Sequence, residues 1–297
     1  MRLDARRFGR PPVTDEELEV DAGGTARMRA NPGRAGRLGL RFFALGYLAL
    51  LLLIPVVMIF IRTFDEGIGA AFDAVTTPEA QHAFYLTFLM VAIAVPLNTV
   101  FGVLAALVLV RQRFRGRAIL NTVIDIPFAI SPIVIGLSLI LVYGRDGWFG
   151  QWFIDQGIQI IFSVPGMVLA TIFVSLPFVV REVQPVLQEI GDEQEQAAST
   201  LGANWWQTFW RVTLPAIRWG VAYGVVLSTA RALGEFGAVS VVSGNISGRT
   251  ETLPLFVSKE FEQFDIAGAY AASVVLAILA VTTLLLMNRL RPKEESL

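Results

Sequence analysis

Six apolar runs, at about 41–61, 84–110, 118–143, 164–182, 219–243 and 266–288, are separated by short polar connections punctuated by Gly and Pro. Each is long enough to cross a hydrocarbon core, which takes about 20 helical residues. None alternates with the period of a half-buried strand, and in lipid every backbone N–H and C=O has to be satisfied within its own element. The pattern predicts an all-α, polytopic membrane protein with six transmembrane helices. Residues 38–290 form its membrane domain. Residues 1–37, rich in Arg, Gly, Pro and acidic side chains, are expected to be a disordered cytoplasmic tail. They do not suit a signal peptide, because the first apolar run comes too late and is too long for an h-region. Residues 291–297 are expected to be a cytoplasmic C-terminal tail.

Composition agrees: 297 residues with mean hydropathy +0.59, 54% hydrophobic and 16% charged, do not suit a soluble domain. Basic residues then orient the chain, since short cytoplasmic loops carry an excess of Lys and Arg. With the N-terminus inside, one set of flanks holds Arg34, Arg37, Arg41, Arg111, Arg113, Arg115, Arg117, Arg181, Arg211, Arg218, Arg289, Arg291 and Lys293. The other set holds only Arg62, Arg145, Arg249 and Lys259. Both termini and the long connection at 184–218 are therefore expected in the cytoplasm of a multi-pass membrane protein. The absence of cysteine excludes disulfides, thiolate metal sites and cysteine nucleophiles, and the single His82 cannot make a metal site alone. No GxxxxGK[ST] occurs, so this chain is not itself a P-loop ATPase.

Within the 184–218 connection, residues 193–215 read EQEQAASTLGANWWQTFWRVTLP. Asp192 is placed to cap a helix, with Glu195 at the back-bonding position of a capping box. Ala197, Ala198 and Leu201 continue that helix, Gly202 stops it, and Trp205, Phe209 and Val212 recur at helical spacing up to Pro215. A helix, a glycine turn and a second helix make a docking knob whose two alanines allow close approach.

This stretch resembles the cytoplasmic signature of ATP-binding-cassette importer permeases, E-A-A-x-x-x-G followed after nine residues by I-x-L-P. Gln196 stands where the family has glutamate, and Val212 where it has isoleucine. IDIPFAISPIVIGL at 124–137, ARALGEFGAVSVVSG at 230–244 and LPLFV at 253–257 are similar to the sulfate and molybdate branch of type I importers, nearest its W-type sulfate/thiosulfate membrane subunits. The resemblance covers about residues 40–290. It implies a heteromeric complex in the bacterial inner membrane: a partner ATPase subunit carrying ATP and Mg²⁺, a second related permease chain and an external sulfate-binding protein. It implies no enzyme activity, no cofactor on this chain and no nucleic acid. Glu195, Gln196, Ala197, Ala198, Gly202, Leu214 and Pro215 would couple to the ATPase. Such a permease receives its work mechanically, through a contact that biases inward-facing against outward-facing states.

Two spans carry internal charge. Arg231 and Glu235 stand at i and i+4 in the fifth, with Gly224, Ser228 and Ala238 extending a small, polar stripe that should face protein or a water-filled path. Two roles are open for the pair: a compensated lining for a dianion, or an ion pair that only locks helices. Asp125, on the third span, is placed to cap or pair, since a bare carboxylate would repel an anion. Ser131-Pro132 marks a helix break or a kink. Arg231, Glu235, Ser228, Asp125 and Ser131 are the expected translocation-pathway residues. The alternatives are a permease for molybdate or another oxyanion, a secondary transporter or channel, which needs no docking hairpin, and a membrane enzyme, for which no convergent nucleophile, base or metal set exists.

Overall fold

The computed structural model describes residues 34–65 and 67–290. The tails expected at 1–37 and 291–297 lie outside the described residues except for 34–37, which belong to the first helix. Every regular element described is helical: α1 (Arg34–Phe64), α2 (Ile68–Val75), α3 (Pro78–Arg111), α4 (Arg117–Ala129), α5 (Pro132–Tyr143), α6 (Gly150–Asp155) and α7 (Val164–Glu189). They continue with α8 (Glu193–Thr200), α9 (Trp205–Thr208), a π-helical turn at Phe209–Thr213, α10 (Leu214–Leu233), α11 (Gly237–Ser243), α12 (Leu253–Glu262) and α13 (Ile266–Leu290). The described residues divide into two units that meet in sequence at 55/56, and the second holds the three hydrophobic clusters found among them.

Among the described residues, four helices are long and apolar enough to cross a membrane: Arg41–Phe64 of α1, α3, α7 and Ile266–Leu286 of α13. The third and fifth apolar runs are instead bent pairs, α4 with α5 at 114° and Trp205–Leu233 with α11 at 53°, so the count is six if each pair is one span. The first bend falls at Ser131-Pro132. Proline disfavours helical geometry in the residue before it, and here Ser131 leaves the helix (φ −58°, ψ 135°) and Pro132 starts a new one. The second falls at Gly234–Phe236, between the end of α10 and the start of α11. Pro215, the second residue of α10, can give no N–H to the carbonyl of Arg211, and its ring would strike that carbonyl in a regular α-helix. The wider π turn at Phe209–Thr213 removes the conflict.

Membrane helices lack a hydrophobic drive toward one another, so close approach depends on small residues. Val179 of α7 is the wedge here. A Cβ added to Gly102 of α3 would lie 2.6 Å from its Cβ, and one added to Gly224 of α10 would lie 2.8 Å from its Cα. Both glycines are therefore needed for α3 and α10 to pack on α7. Asn98 of α3 adds a buried hydrogen bond to Ser175 of α7 at 2.8 Å, and Ser175 in turn donates to the Thr171 carbonyl. Between the bent pairs, Gly136 of α5 meets the Ala238 carbonyl and the Val241 side chain of α11.

Candidate functional site

The hairpin between α7 and α10 is built from local chemistry plus one long-range tie. Gly202 sits at φ +86°, a conformation that opposes any side chain, and it separates α8 from α9. α9 starts with a complete capping box: Asn204 accepts from the Gln207 N–H at 2.9 Å, and Gln207 Oε1 accepts from the Asn204 N–H at 3.0 Å. The box expected one helix earlier is absent, for Asp192 makes no side-chain cap. Glu195 turns away from the backbone and toward Arg111, accepting from Nε at 2.9 Å and Nη2 at 3.3 Å, and it also accepts from Thr213 Oγ1 at 2.8 Å. An ionised carboxylate gains more from a guanidinium than from one backbone amide, and that decides its direction.

The other residues expected to couple are divided by exposure. Gln196, Ala197 and Gly202 are exposed, with Ala198 partly covered, so α8 offers a low surface with no charge at Gln196. Pro215 is exposed and Leu214 packs against the cluster formed by α3, α4, α7 and Ile217. Leu201, Trp205, Trp206 and Trp210 are also exposed; Trp205 stacks on Phe209, and Trp210 meets Trp206 and Phe209 edge-on.

The expected pathway residues are held by separate contacts. Arg231 Nη1 lies 2.5 Å from Glu235 Oε2, with the arginine side chain 28% and the glutamate 1% exposed. The other carboxylate oxygen of Glu235 accepts the Ala238 N–H at 2.9 Å and so caps α11 across the bend, while Oε2 accepts no hydrogen bond. Ser228 and Ala238 are fully buried, and Gly224 rests on Val179, so the small stripe of the fifth run faces protein within this chain. Asp125 is not bare: Arg181 of α7 grips it with two hydrogen bonds, the one from Nε to Oδ1 at 2.8 Å, and also donates to Gln184 at 3.2 Å. Ser131 is exposed at the α4–α5 bend with no capping bond of its own.

Arg111 and Arg181 are the residues that reasoning from the sequence missed. A signal for Arg181 was present, because a carboxylate inside an apolar run requires a cation, and Arg181 closes the next such run. No comparable signal singled out Arg111 among Arg113, Arg115 and Arg117.

At the end of the bundle where α3 begins, a polar concavity of about 370 Å³ is lined by Thr77, Glu79, Ser247, Lys259, Glu260 and Asp265, among others. Lys259 contacts Glu251, 1% exposed, at 3.2 Å and Glu260 at 3.2 Å, and lies 4.9 Å above the Phe256 ring. Burial pulls the lysine pKa down, but the hydrogen bonds and charges of Glu260 and Glu251 outweigh it and leave it raised above 10.5. Among the described residues no group of acidic or histidine side chains could hold a metal ion.

Residues 98–295 match the family of binding-protein-dependent transport system inner membrane components. The sulfate transport system permease protein CysW of Synechocystis sp. is 56% identical over 84% of this chain and 91% of its own length. The related permease protein CysT of Synechococcus elongatus is 41% identical over 82% of this chain and 88% of its own. A crystal structure of a bacterial alginate ABC transporter, in complex with an alginate-bound periplasmic protein, shares the fold. Its TM-score is 0.71 at 16% identity, over 85% of this chain and 93% of that one. With the apolar helices and these likenesses together, the chain belongs to the binding-protein-dependent inner-membrane transport components, among the sulfate transport system permeases.

Proposed function

We propose that this chain is one of two membrane subunits of an ATP-driven importer of sulfate and thiosulfate, its partner a related permease of the CysT kind. A separate ATPase carrying ATP and Mg²⁺ docks on residues 192–215 from the cytoplasm, where both termini also lie. An external binding protein delivers the anion, in the way that the alginate transporter is found in complex with its substrate-bound periplasmic protein. The observation that carries this reading is the hairpin: α8 offers the exposed, small face of Gln196 and Ala197, while its one inward carboxylate is committed to Arg111. Such a surface suits docking by shape. The adjoining Leu214-Pro215 step, with its π turn, joins it to α10.

The pathway runs past the two ion pairs, Arg231–Glu235 and Asp125–Arg181, and past the exposed Ser131 at the α4–α5 bend, with Ser228 behind them. Sulfate is a hydrated dianion: a bare arginine would hold it and a bare carboxylate would repel it. Compensated pairs give a polar lining close to neutral, and selectivity is left to the binding protein. The test is uptake of labelled sulfate by the complex reconstituted with its ATPase, second permease chain and binding protein, challenged with each competing oxyanion. Sulfate and thiosulfate should displace the label and molybdate should not. Displacement by molybdate at equal concentration would move the assignment to that oxyanion.

A further inference from the structure

We propose that Arg111 is the joint that makes the cytoplasmic hairpin and the ends of α3 and α7 move as one body. The inference rests on α8 being the surface pushed by the ATPase, and it adds a positioning residue that lies 85 positions before the hairpin motif begins at Gln196.

Arg111 is the last residue of α3, and its side chain is only 19% exposed. The guanidinium makes four hydrogen bonds. Two go to Glu195 of α8; Nη1 donates to the Leu187 carbonyl at 3.0 Å and Nη2 to the Gly191 carbonyl at 2.7 Å. The Leu187 carbonyl is in the last turn of α7, where a helix leaves its last oxygens without partners and the negative end of its dipole favours a cation, and Gly191 follows just beyond the helix end. Glu195 passes the connection on to Thr213, in the π turn that leads into α10. One planar side chain thus joins the ends of α3 and α7 to both arms of the hairpin. Lysine cannot substitute, since a single ammonium cannot span two carbonyls and both carboxylate oxygens in this fork geometry.

A push on α8 has two ways to go. It can bend the connection at Gly191, which sits at φ +63° and has nothing within 4 Å of a built Cβ, or it can carry α3 and α7 with it. Gly191 alone is a free hinge. The Arg111 bond to its carbonyl stiffens that hinge, so displacement of the hairpin becomes displacement of the packed α3–α7 core.

The test uses the full complex in proteoliposomes and reads sulfate imported per ATP hydrolysed. Arg111→Gln and Arg111→Lys should still co-purify with the ATPase, and the ratio should fall at least about tenfold, since several charge-assisted bonds leave the linkage together. An unchanged ratio overturns the joint. The reversal Arg111→Glu with Glu195→Arg separates a joint from a plain ion pair. A pair would be rescued, whereas a carboxylate at position 111 would face two carbonyl oxygens and no rescue is expected; rescue overturns the proposal.

A second measurement does not depend on how these variants assemble. The chain has no cysteine, so spin labels on Gln112→Cys and Ser199→Cys report one distance. That distance should be the same in nucleotide-free and ATP-trapped complexes. A change larger than about 5 Å, one helical turn, overturns the joint. If the unmodified complex imports nothing with ATP, the importer reading fails instead, and the label distance still decides whether hairpin and α3 move together.

Discussion

Arg231 and Glu235 hold the sharpest choice at the scale of single residues. Glu235 is buried and caps α11 while it pairs with Arg231, so Arg231→Gln leaves a buried carboxylate without a cation, at about 3–5 kcal/mol. Complex yield and uptake should both collapse. Glu235→Gln keeps the cap oxygen but bares the cation, and the expected result is retained sulfate with slow turnover. In the double Gln variant neither charge is orphaned and assembly should recover. Impaired uptake there supports a lining role, and normal uptake means that the pair only locks α10 to α11. Lys259 makes a separate prediction at the other end of the bundle. Its folded pKa is raised, so its stabilising contribution is complete below the unfolded value of 10.5 and is lost as pH rises through the higher folded value. The melting temperature of the complex should carry no loss from this group between pH 7 and 10 and should drop above it. Lys259→Met should lower the melting temperature even at pH 7, because Glu251 is left buried without its cation.

Elements fail in a different way, through geometry rather than charge. Gly202→Val puts a β-branched side chain at φ +86°, which tilts α8 against α9 without touching the membrane core. Insertion and ATPase retention should survive while binding-protein-stimulated ATP hydrolysis is lost; normal stimulation with normal uptake would refute it. Gly136→Val is the complementary case. Its Cβ would come within 2.8 Å of the Ala238 backbone oxygen, so the two bent pairs must separate, and strain of about 1–3 kcal/mol should appear as a lower yield of assembled complex.

The elements also show what the sequence could and could not say. Pro132 and Gly202 carry conformational rules of their own, so the α4–α5 break and the α8–α9 turn were legible as positions. The 114° of the first bend was not, because it depends on Gly136 meeting α11. The capping box shows the same limit. Both Asp192 with Glu195 and Asn204 with Gln207 fit the spacing, but only the second forms, because Glu195 is held by Arg111, a residue 84 positions away.

The whole molecule was legible where a property sums over many residues. Apolar run length gave the helical membrane class, and its four unbroken helices and two bent pairs follow those runs. Family membership likewise survives single departures, such as Gln196 for glutamate. Ion-pair partners did not follow, since Arg181 for Asp125 and Arg111 for Glu195 are set by how α3, α4, α7 and α8 pack. If ATP hydrolysis by a partner, delivered through the hairpin, drives anion import through this chain, sulfate uptake decides it. The measurement is uptake into proteoliposomes holding the complete complex, with ATP inside and binding protein outside, before and after ionophores collapse all ion gradients. Uptake should need both ATP and binding protein and be unaffected by the ionophores; uptake that persists without ATP and stops when the gradients collapse overturns the importer reading.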